Sequence, residues 1–132
     1  MNRFLMLLVC GLVALPLAGC QNNVVYTAAD PTVLTPRPAN YGVEVEFGTV
    51  SRPHRVLGEV RVTRKITANF GQNGAYDLAI DEMKAQTRKV GGDAIINLKA
   101  LDTQHGGTAG RLTLVGTVVA FSSPLGMGAA GR

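Results

Sequence analysis

The chain has 132 residues, of which 46% are hydrophobic and 17% charged, and its formal net charge at pH 7 is +4. This length fits one small domain with a core of its own. The positive excess is mild, and the aromatic residues (5% of the chain) are not interleaved with the basic ones, so nucleic acid is not an expected partner.

Residues 1–19 have the three parts of an export signal. Arg3 supplies the positive charge, residues 4–17 form an apolar run, and small residues up to Gly19 close the segment. The run is shorter than the roughly 20 residues that cross a bilayer as a helix. The alternatives are a permanent membrane-spanning anchor, a buried N-terminal helix, or a secreted protein whose Cys20 stays unmodified.

The end of this signal, Leu17-Ala18-Gly19-Cys20, resembles the lipobox of bacterial lipoproteins. The resemblance implies cleavage between Gly19 and Cys20 and attachment of lipid, palmitate included, at Cys20. Cys10 leaves with the signal, so the mature chain keeps one cysteine and forms no internal disulfide. Several acyl chains hold a protein stably on a membrane. Gln21 is not the aspartate that retains enteric lipoproteins in the inner membrane, which favours the periplasmic side of the outer membrane.

Residues 20–41 are predicted to be a flexible tether between the lipid and the domain. Pro31, Pro36 and Pro38 interrupt this segment, and proline favours extended backbone while donating no backbone hydrogen bond. The alternative is that residues 24–26 add an edge strand to the domain.

The folded domain is predicted to span residues 42–121. Residues 43–47 alternate apolar and acidic side chains, and residues 56–63 alternate in a similar way, which is typical of half-buried strands. The short spacing predicts that the two strands form an antiparallel hairpin. The acidic side chains of the first strand should then face basic ones of the second, with Glu44 and Glu46 opposite Arg61 or Arg64.

The apolar period then changes to that of a helix, which ends near Val90. Asn73 or Gly74 is the predicted N-cap, and Gly91 suits the left-handed position that follows a helix. The stripe that should face the sheet consists of Tyr76, Ile80, Met83, Thr87 and Val90.

Residues 93–101 and 111–121 are predicted to form the last hairpin, with Ile96 and Leu98 on one face of its first strand. Both faces of the second strand are apolar, so it should be central in the sheet, or its second face should be covered by the tether, the tail or another subunit. The tail, residues 122–132, is rich in glycine and alanine and is predicted to be disordered. The two faces of the last strand are Leu112, Leu114, Val118 and Ala120, and Val115, Val119 and Phe121.

These elements predict an α+β fold, with one helix packed on a mixed, mostly antiparallel sheet of four strands in the order ββαββ. Between Ala75 and Phe121 the chain resembles the small YbjQ-like domains and the envelope-stress lipoprotein RcsF. The resemblance lies in the helix-to-strand junction at residues 90–98 and in the strand segment 116–119, and residues 57–60 match the first strand. It implies self-association. It carries over neither the sensor role nor metal binding, because the domain lacks paired cysteines and a histidine cluster.

Candidate catalytic and metal-binding groups are few. The two histidines, His54 and His105, lie in different loops, whereas transition metals take three or four ligands at fixed spacing. Gly91-Gly92-Asp93 follows a helix and so lacks the helix N-terminus that binds phosphate. Ser51 lies near His54 but has no third group to hold a base. We therefore expect no enzymatic activity, no metal and no cofactor.

The predicted function is a non-enzymatic interaction or assembly module of the cell envelope, anchored through Cys20. Its expected partners are the membrane and either a second copy of the chain or an envelope protein. The alternative is a ligand- or metal-binding component of envelope stress sensing. The basic stretch at residues 52–65 is either a solvated edge or a patch for an anionic partner. The candidate contact surface consists of Arg52, Arg55, Val115, Val119 and Phe121.

Overall fold

A computed structural model describes residues 23–67, 71–101 and 110–122. The predictions for the signal peptide, for Cys20, for the loop with His105 and for nearly all of the tail lie outside the described residues. Within the described part of the chain, no helix is both long and apolar enough to cross a membrane.

The domain is α+β, as predicted, but its sheet has five strands instead of four. The strand order is β1-β3-β5-β4-β2, and all pairs are antiparallel except β2 with β4. The described residues contain one helix, which packs on one face of the sheet. The elements are β1 (Asn23–Ala28), β2 (Glu44–Val45), β3 (His54–Lys65), α1 (Gly71–Lys89), β4 (Ala94–Leu101) and β5 (Arg111–Phe121).

The extra strand, β1, lies inside the segment predicted to be a tether. It pairs antiparallel with β3, with Asn23 opposite Thr63 and Ala28 opposite Gly58. The chain then crosses to the C-terminal end of α1, where the Arg37 amide donates to the Arg88 carbonyl at 2.8 Å. Residues 23–41 therefore belong to the domain, and the edge-strand alternative is the one that the structure adopts.

The predicted hairpin between the strands at 43–47 and 56–63 is wrong. The first of these is reduced to β2, which pairs parallel with β4 at the opposite edge of the sheet. Backbone hydrogen bonds from Glu46 to Ile95 and from Leu98 to Glu46 extend this pairing. Alternation identifies a strand but not its partner, and the partner here is distant in sequence. Phe47, predicted to be half-buried, is 74% exposed.

The charge pairing expected across that hairpin is also wrong. Glu44 lies 3.6 Å from Arg52, in the connection between β2 and β3. Arg64 instead forms two hydrogen bonds with Glu82 of α1.

Helix α1 begins at Gly71, two residues before the predicted N-cap, and ends as predicted. Gly91 has a φ of +78°. Its amide donates to Arg88 at 3.1 Å, and the Gly92 amide donates to Thr87 at 2.9 Å, which is the Schellman pattern of a helix C-terminus. Of the predicted stripe, Met83 and Thr87 are fully buried, and the other three side chains are partly buried. The fully covered face also includes Ala75 and Ala79.

Strand β4 changes face at Asn97, which the simple alternation did not predict. Asn97 has a φ of +52°, a left-handed conformation that asparagine tolerates better than most residues. The pairing register with β5 shifts between Ile96 and Lys99. As a result Leu98 lies with Ile95 in the core under the helix, while Ile96 lies on the opposite face. The prediction that Ile96 and Leu98 share a face is therefore wrong.

Strand β5 is central in the sheet, and its pairing with β4 confirms the last predicted hairpin. Its two faces are also as predicted, since Leu112, Leu114 and Val118 contribute to the core under α1. We call the face opposite α1 the outer face. There Val119 is covered by a small cluster that includes Val50, from the connection between β2 and β3. This connection covers that part of the outer face within the chain itself.

Candidate functional site

A buried carboxylate, Asp93, lies at the end of the sheet where β4 begins. Its side chain is only 5% exposed and lies 2.8 Å from the Arg37 guanidinium. The Tyr41 hydroxyl donates to the same carboxylate at 2.6 Å, and the Phe121 amide donates to its second oxygen at 2.8 Å. The Asp93 amide in turn donates to the Val119 carbonyl. Three segments that are distant in sequence therefore meet at one side chain: the crossing segment, the start of β4 and the end of β5.

The crossing segment between β1 and β2 positions the two side chains that face Asp93. The backbone bond from Arg37 to Arg88 fixes the start of the segment, and the Arg88 guanidinium donates to the Tyr41 carbonyl at 3.3 Å. The Arg37 guanidinium lies 5.2 Å from the centre of the Tyr41 ring, within the range of a cation–π contact. The Arg37 Nε is buried and has no hydrogen-bond partner among the described residues.

An open pocket of about 540 Å³ lies beside this cluster, and we call it the Arg37–Arg52 pocket. Arg52 stacks on Phe121, with its guanidinium carbon 3.9 Å from the ring centre. The Arg52 side chain is 59% exposed, and one of its terminal nitrogens lies 3.6 Å from Glu44, so the remaining donors face solvent. Two guanidinium groups beside an aromatic ring suit a carboxylate or phosphate carried by a partly apolar ligand. The lining residues are Arg37, Tyr41, Arg52, Pro53, Asp93, Phe121 and Ser122.

The structure does not bring the predicted contact residues onto one surface. Arg52 and Phe121 meet at the pocket, but Arg55 lies 3.6 Å from Asp30, beyond the end of β1. Val119 is fully buried, so it cannot serve as a contact residue. Val115 is partly buried on the outer face, six residues earlier in β5 and therefore about 20 Å from Phe121.

Sequence reasoning missed Arg37 and Tyr41, and it considered Asp93 as part of a possible phosphate-binding segment. The available signal was an acidic residue directly before a strand that begins with three apolar residues, but Arg37 and Tyr41 lie more than 50 residues away in sequence. Among the described residues, no group of three or more histidine, cysteine and acidic side chains could hold a metal ion. His54 instead has its Nδ1 at 2.8 Å from the Arg52 carbonyl.

The Tyr41 hydroxyl makes the stability of this cluster depend on pH. Its hydrogen bond to Asp93, with burial and the Asp93 charge, raises the pKa of Tyr41 above its ordinary value of 10.0. The folded state therefore favours the neutral phenol. This stabilisation is fully present below the pKa that Tyr41 has in the unfolded chain. It is lost as the pH rises through the higher pKa that Tyr41 has in the folded chain.

We expect Tyr41→Phe to lower the free energy of unfolding by about 1–2 kcal/mol near neutral pH and to have less effect at strongly alkaline pH. Urea unfolding of both chains, at neutral pH and above the ordinary tyrosine pKa, measures this. Tyr76→Phe is the matched control because the Tyr76 ring packs against the core away from Asp93. A constant difference between Tyr41→Phe and the unaltered chain at all pH values would contradict the expected titration.

Two solved structures share this fold. The Francisella virulence factor FvfA matches with a TM-score of 0.58 at 16% sequence identity, over 74% of this chain and 96% of that one. A protein of unknown function from Pediococcus pentosaceus, assigned to the DUF74 family, matches with a TM-score of 0.52 at 16% identity, over 61% and 98%. At this level of identity the likeness shows the fold alone. No protein-family model matches the chain, and no curated protein matches it.

Proposed function

We propose that this chain is a lipid-anchored, non-enzymatic interaction module of the cell envelope, which presents the Arg37–Arg52 pocket to an acidic group of a partner protein. The observation that carries the proposal is the position of the lipobox-like cysteine. Cys20 comes three residues before Asn23, the first residue of β1. The anchor would thus be attached almost directly to the edge of the sheet.

The register of the sheet supports an anchor at the end opposite the pocket. Asn23 pairs with Thr63 near the end of β3, whereas His54 at the start of β3 pairs with Phe121 beside the pocket. A strand rises about 3.3 Å per residue, so β3 is on the order of 35–40 Å long. The three residues from Cys20 to Asn23 span at most about 11 Å. A lipid at Cys20 therefore leaves the pocket directed away from the membrane that holds it.

The remaining parts of the proposal rest on sequence. Gln21 favours the outer membrane with the domain in the periplasm. The likeness to the DUF74 protein supports a YbjQ-like fold, and the RcsF-like relation rests on the motifs between Ala75 and Phe121. An envelope protein with an exposed acidic segment is the partner that two arginines beside an aromatic ring suit best, and a second copy of this chain is the other candidate.

The first experiment tests the anchor. The full chain is expressed in a Gram-negative bacterium, and the membrane-bound protein is analysed by intact-protein mass spectrometry and labelled palmitate. We expect a chain that begins at Cys20 and carries acyl groups. The Cys20→Ser variant should carry none and should leave the membrane fraction. An unmodified mature chain in the soluble fraction would refute the anchor.

The second experiment tests the pocket in living cells. A photocrosslinking residue is placed at Arg52, and at Asp81 as a control on the exposed side of α1. We expect a defined product from position 52 that disappears on Arg37→Gln and is missing from position 81. Equal products from both positions would contradict a role for the pocket. A product with twice the mass of the chain would identify the partner as a second copy.

The pocket also supports a second candidate function, the binding of a small anionic ligand. Its volume of about 540 Å³ is within the range of small-molecule sites. In this case small carboxylates or inorganic phosphate would produce chemical-shift changes in NMR spectra of the chain, and Arg52→Gln would abolish them. The crosslinker at position 52 would then capture no protein. Strong protein crosslinks without any shift from these small anions would favour the interaction module.

A further inference from the structure

We infer that the half of the outer face nearest the anchor docks on anionic phospholipid headgroups, so that this end of the sheet is held on the membrane while the pocket end stays exposed to solvent. This inference rests on the proposed lipid anchor. We call the surface the anchor-side face. It consists of Val25, Arg61, Lys99, Leu101, Arg111 and Val115.

The strand register places these side chains on one surface. Arg61 pairs with Val25 of β1 on one side and with Val115 of β5 on the other, and Val115 also pairs with Lys99. Directly opposed residues in a sheet point to the same face. The hydrogen bond between the Thr63 and Thr113 hydroxyl groups, at 3.1 Å, shows the same orientation one step along these strands.

The surface mixes exposed apolar and basic side chains. Val25 and Leu101 remain 42% and 39% exposed, which leaves apolar area in contact with water. A set of apolar side chains ringed by cations is typical of proteins that bind at the interface of an anionic membrane. The alternation within β1, β3 and β5 therefore places apolar and basic side chains together on the face that does not contribute to the core under α1.

The charge on this surface is strongly one-sided. Arg61, Lys99 and Arg111 lie on it, and Lys65 pairs in register with Arg111 on the same face. The nearest acidic side chains described on the outer face lie one row closer to the pocket: Glu59, 3.5 Å from Arg61, and Glu46, next to β4. The exposed acids of α1 lie on the other side of the molecule, since the buried stripe of the helix faces the sheet. The face therefore matches the negative charge of phospholipid headgroups.

The position of the anchor brings this face to the membrane. Cys20 lies within about 11 Å of Asn23, which pairs with Thr63 at the edge of the same surface. A second copy of the chain is a poorer occupant. In a two-fold interface the same patch meets itself, so the cations would face one another with few acidic groups to neutralise them.

The test uses the lipidated full chain, reconstituted into vesicles of phosphatidylcholine alone or with added phosphatidylglycerol. A nitroxide is attached at Val25→Cys on the anchor-side face, or at Ser51→Cys near the pocket as the control. Because lipid occupies the Cys20 sulfur, the new cysteine is the reactive thiol of the mature chain. The collision rate with a water-soluble nickel reagent then reports whether each position is covered.

We expect the Val25 label to be protected on vesicles that contain phosphatidylglycerol, and the Ser51 label to stay accessible. The double variant Arg61→Glu with Arg111→Glu should remove this protection. The matched variant Lys84→Glu with Lys89→Glu, on α1, should keep it. Equal accessibility of the Val25 label on both vesicle types would overturn the inference. So would protection on neutral vesicles that comes with spin–spin broadening, because this would identify a second copy as the cover.

A second measurement separates failure of this inference from failure of the anchor. The mature chain with Cys20→Ser is sedimented with the same vesicles at low salt. We expect weak binding that requires phosphatidylglycerol, falls with added salt, and decreases by at least about fivefold for each reversed cation of the face. Such binding would support the face even if Cys20 proved unmodified. Binding that is equal for the two double variants would overturn it even if the anchor were present.

Discussion

Replacing Asp93 with alanine should destabilise the domain by about 2–4 kcal/mol. The carboxylate is 5% exposed and accepts hydrogen bonds from the Tyr41 hydroxyl and the Phe121 amide. Asp93→Ala leaves the Phe121 amide without its acceptor at the end of β5, and it removes the group that holds the crossing segment to the sheet. The ion pair with Arg37 contributes less than its 2.8 Å distance suggests, because the Arg37 side chain is 37% exposed and water screens the charge.

Urea unfolding of three variants separates these contributions. Asp93→Asn keeps an oxygen for the Phe121 amide and removes the charge, so we expect it to lose about half as much stability as Asp93→Ala. Glu59→Gln is the control for an exposed ion pair, since both partners are about half exposed at 3.5 Å, and it should change stability by less than about 0.5 kcal/mol. An Asp93→Ala chain as stable as Glu59→Gln would show that the cluster does not hold the crossing segment.

The core of the fold could be predicted from local patterns. Strands β3 and β5 and helix α1 each have an apolar period that agrees with the face they bury, and Gly91 ends the helix by a conformation that glycine adopts freely. In these elements, the position of a residue within the local period decides whether its side chain is buried. The apolar pattern of the sequence is therefore enough to predict the buried face.

The features that could not be predicted depend on contacts between distant segments. The two residues of β2 have no local signal for pairing parallel with β4, which begins about 50 residues later. At Asn97 a left-handed residue moves Leu98 to the opposite face, and alternation cannot show this because an asparagine in a strand is usually just a polar outward residue. The pocket was missed for the same reason, since Arg37, Asp93 and Phe121 meet only after the sheet has formed.

The proposed lipobox and the pocket also differ in how easily they can be recognised from the sequence. The proposed lipobox is a short, continuous segment, so its residues are adjacent in the sequence. The pocket is built from four separate segments, and none of them has a distinctive motif. The register of β1, β3 and β5 shows that Asn23 and Phe121 lie at opposite ends of the sheet.

Replacing Gly91 with alanine should destabilise the domain by about 2–5 kcal/mol, for two separable reasons. The φ of +78° is unfavourable for any residue with a Cβ atom. In addition, a Cβ at this position would lie 2.6 Å from the Leu34 Cβ and 2.7 Å from the Thr35 carbonyl oxygen. Backbone atoms cannot rotate away as a side chain can, so the crossing segment would have to move.

Gly71 supplies the matched control, because its φ is +59° and no atom lies within 4 Å of the Cβ that alanine would add. Gly71→Ala should therefore show the conformational cost alone, about 1–2 kcal/mol. The excess loss in Gly91→Ala measures the close approach of the crossing segment. That segment contains Arg37, whose amide donates to Arg88, so this amide should exchange with solvent faster in Gly91→Ala and at the native rate in Gly71→Ala. Equal losses of stability in the two variants, with the Arg37 amide still protected from exchange, would contradict this prediction. They would mean that the crossing segment does not pack on the end of α1, and therefore that this packing does not hold Arg37 in the pocket.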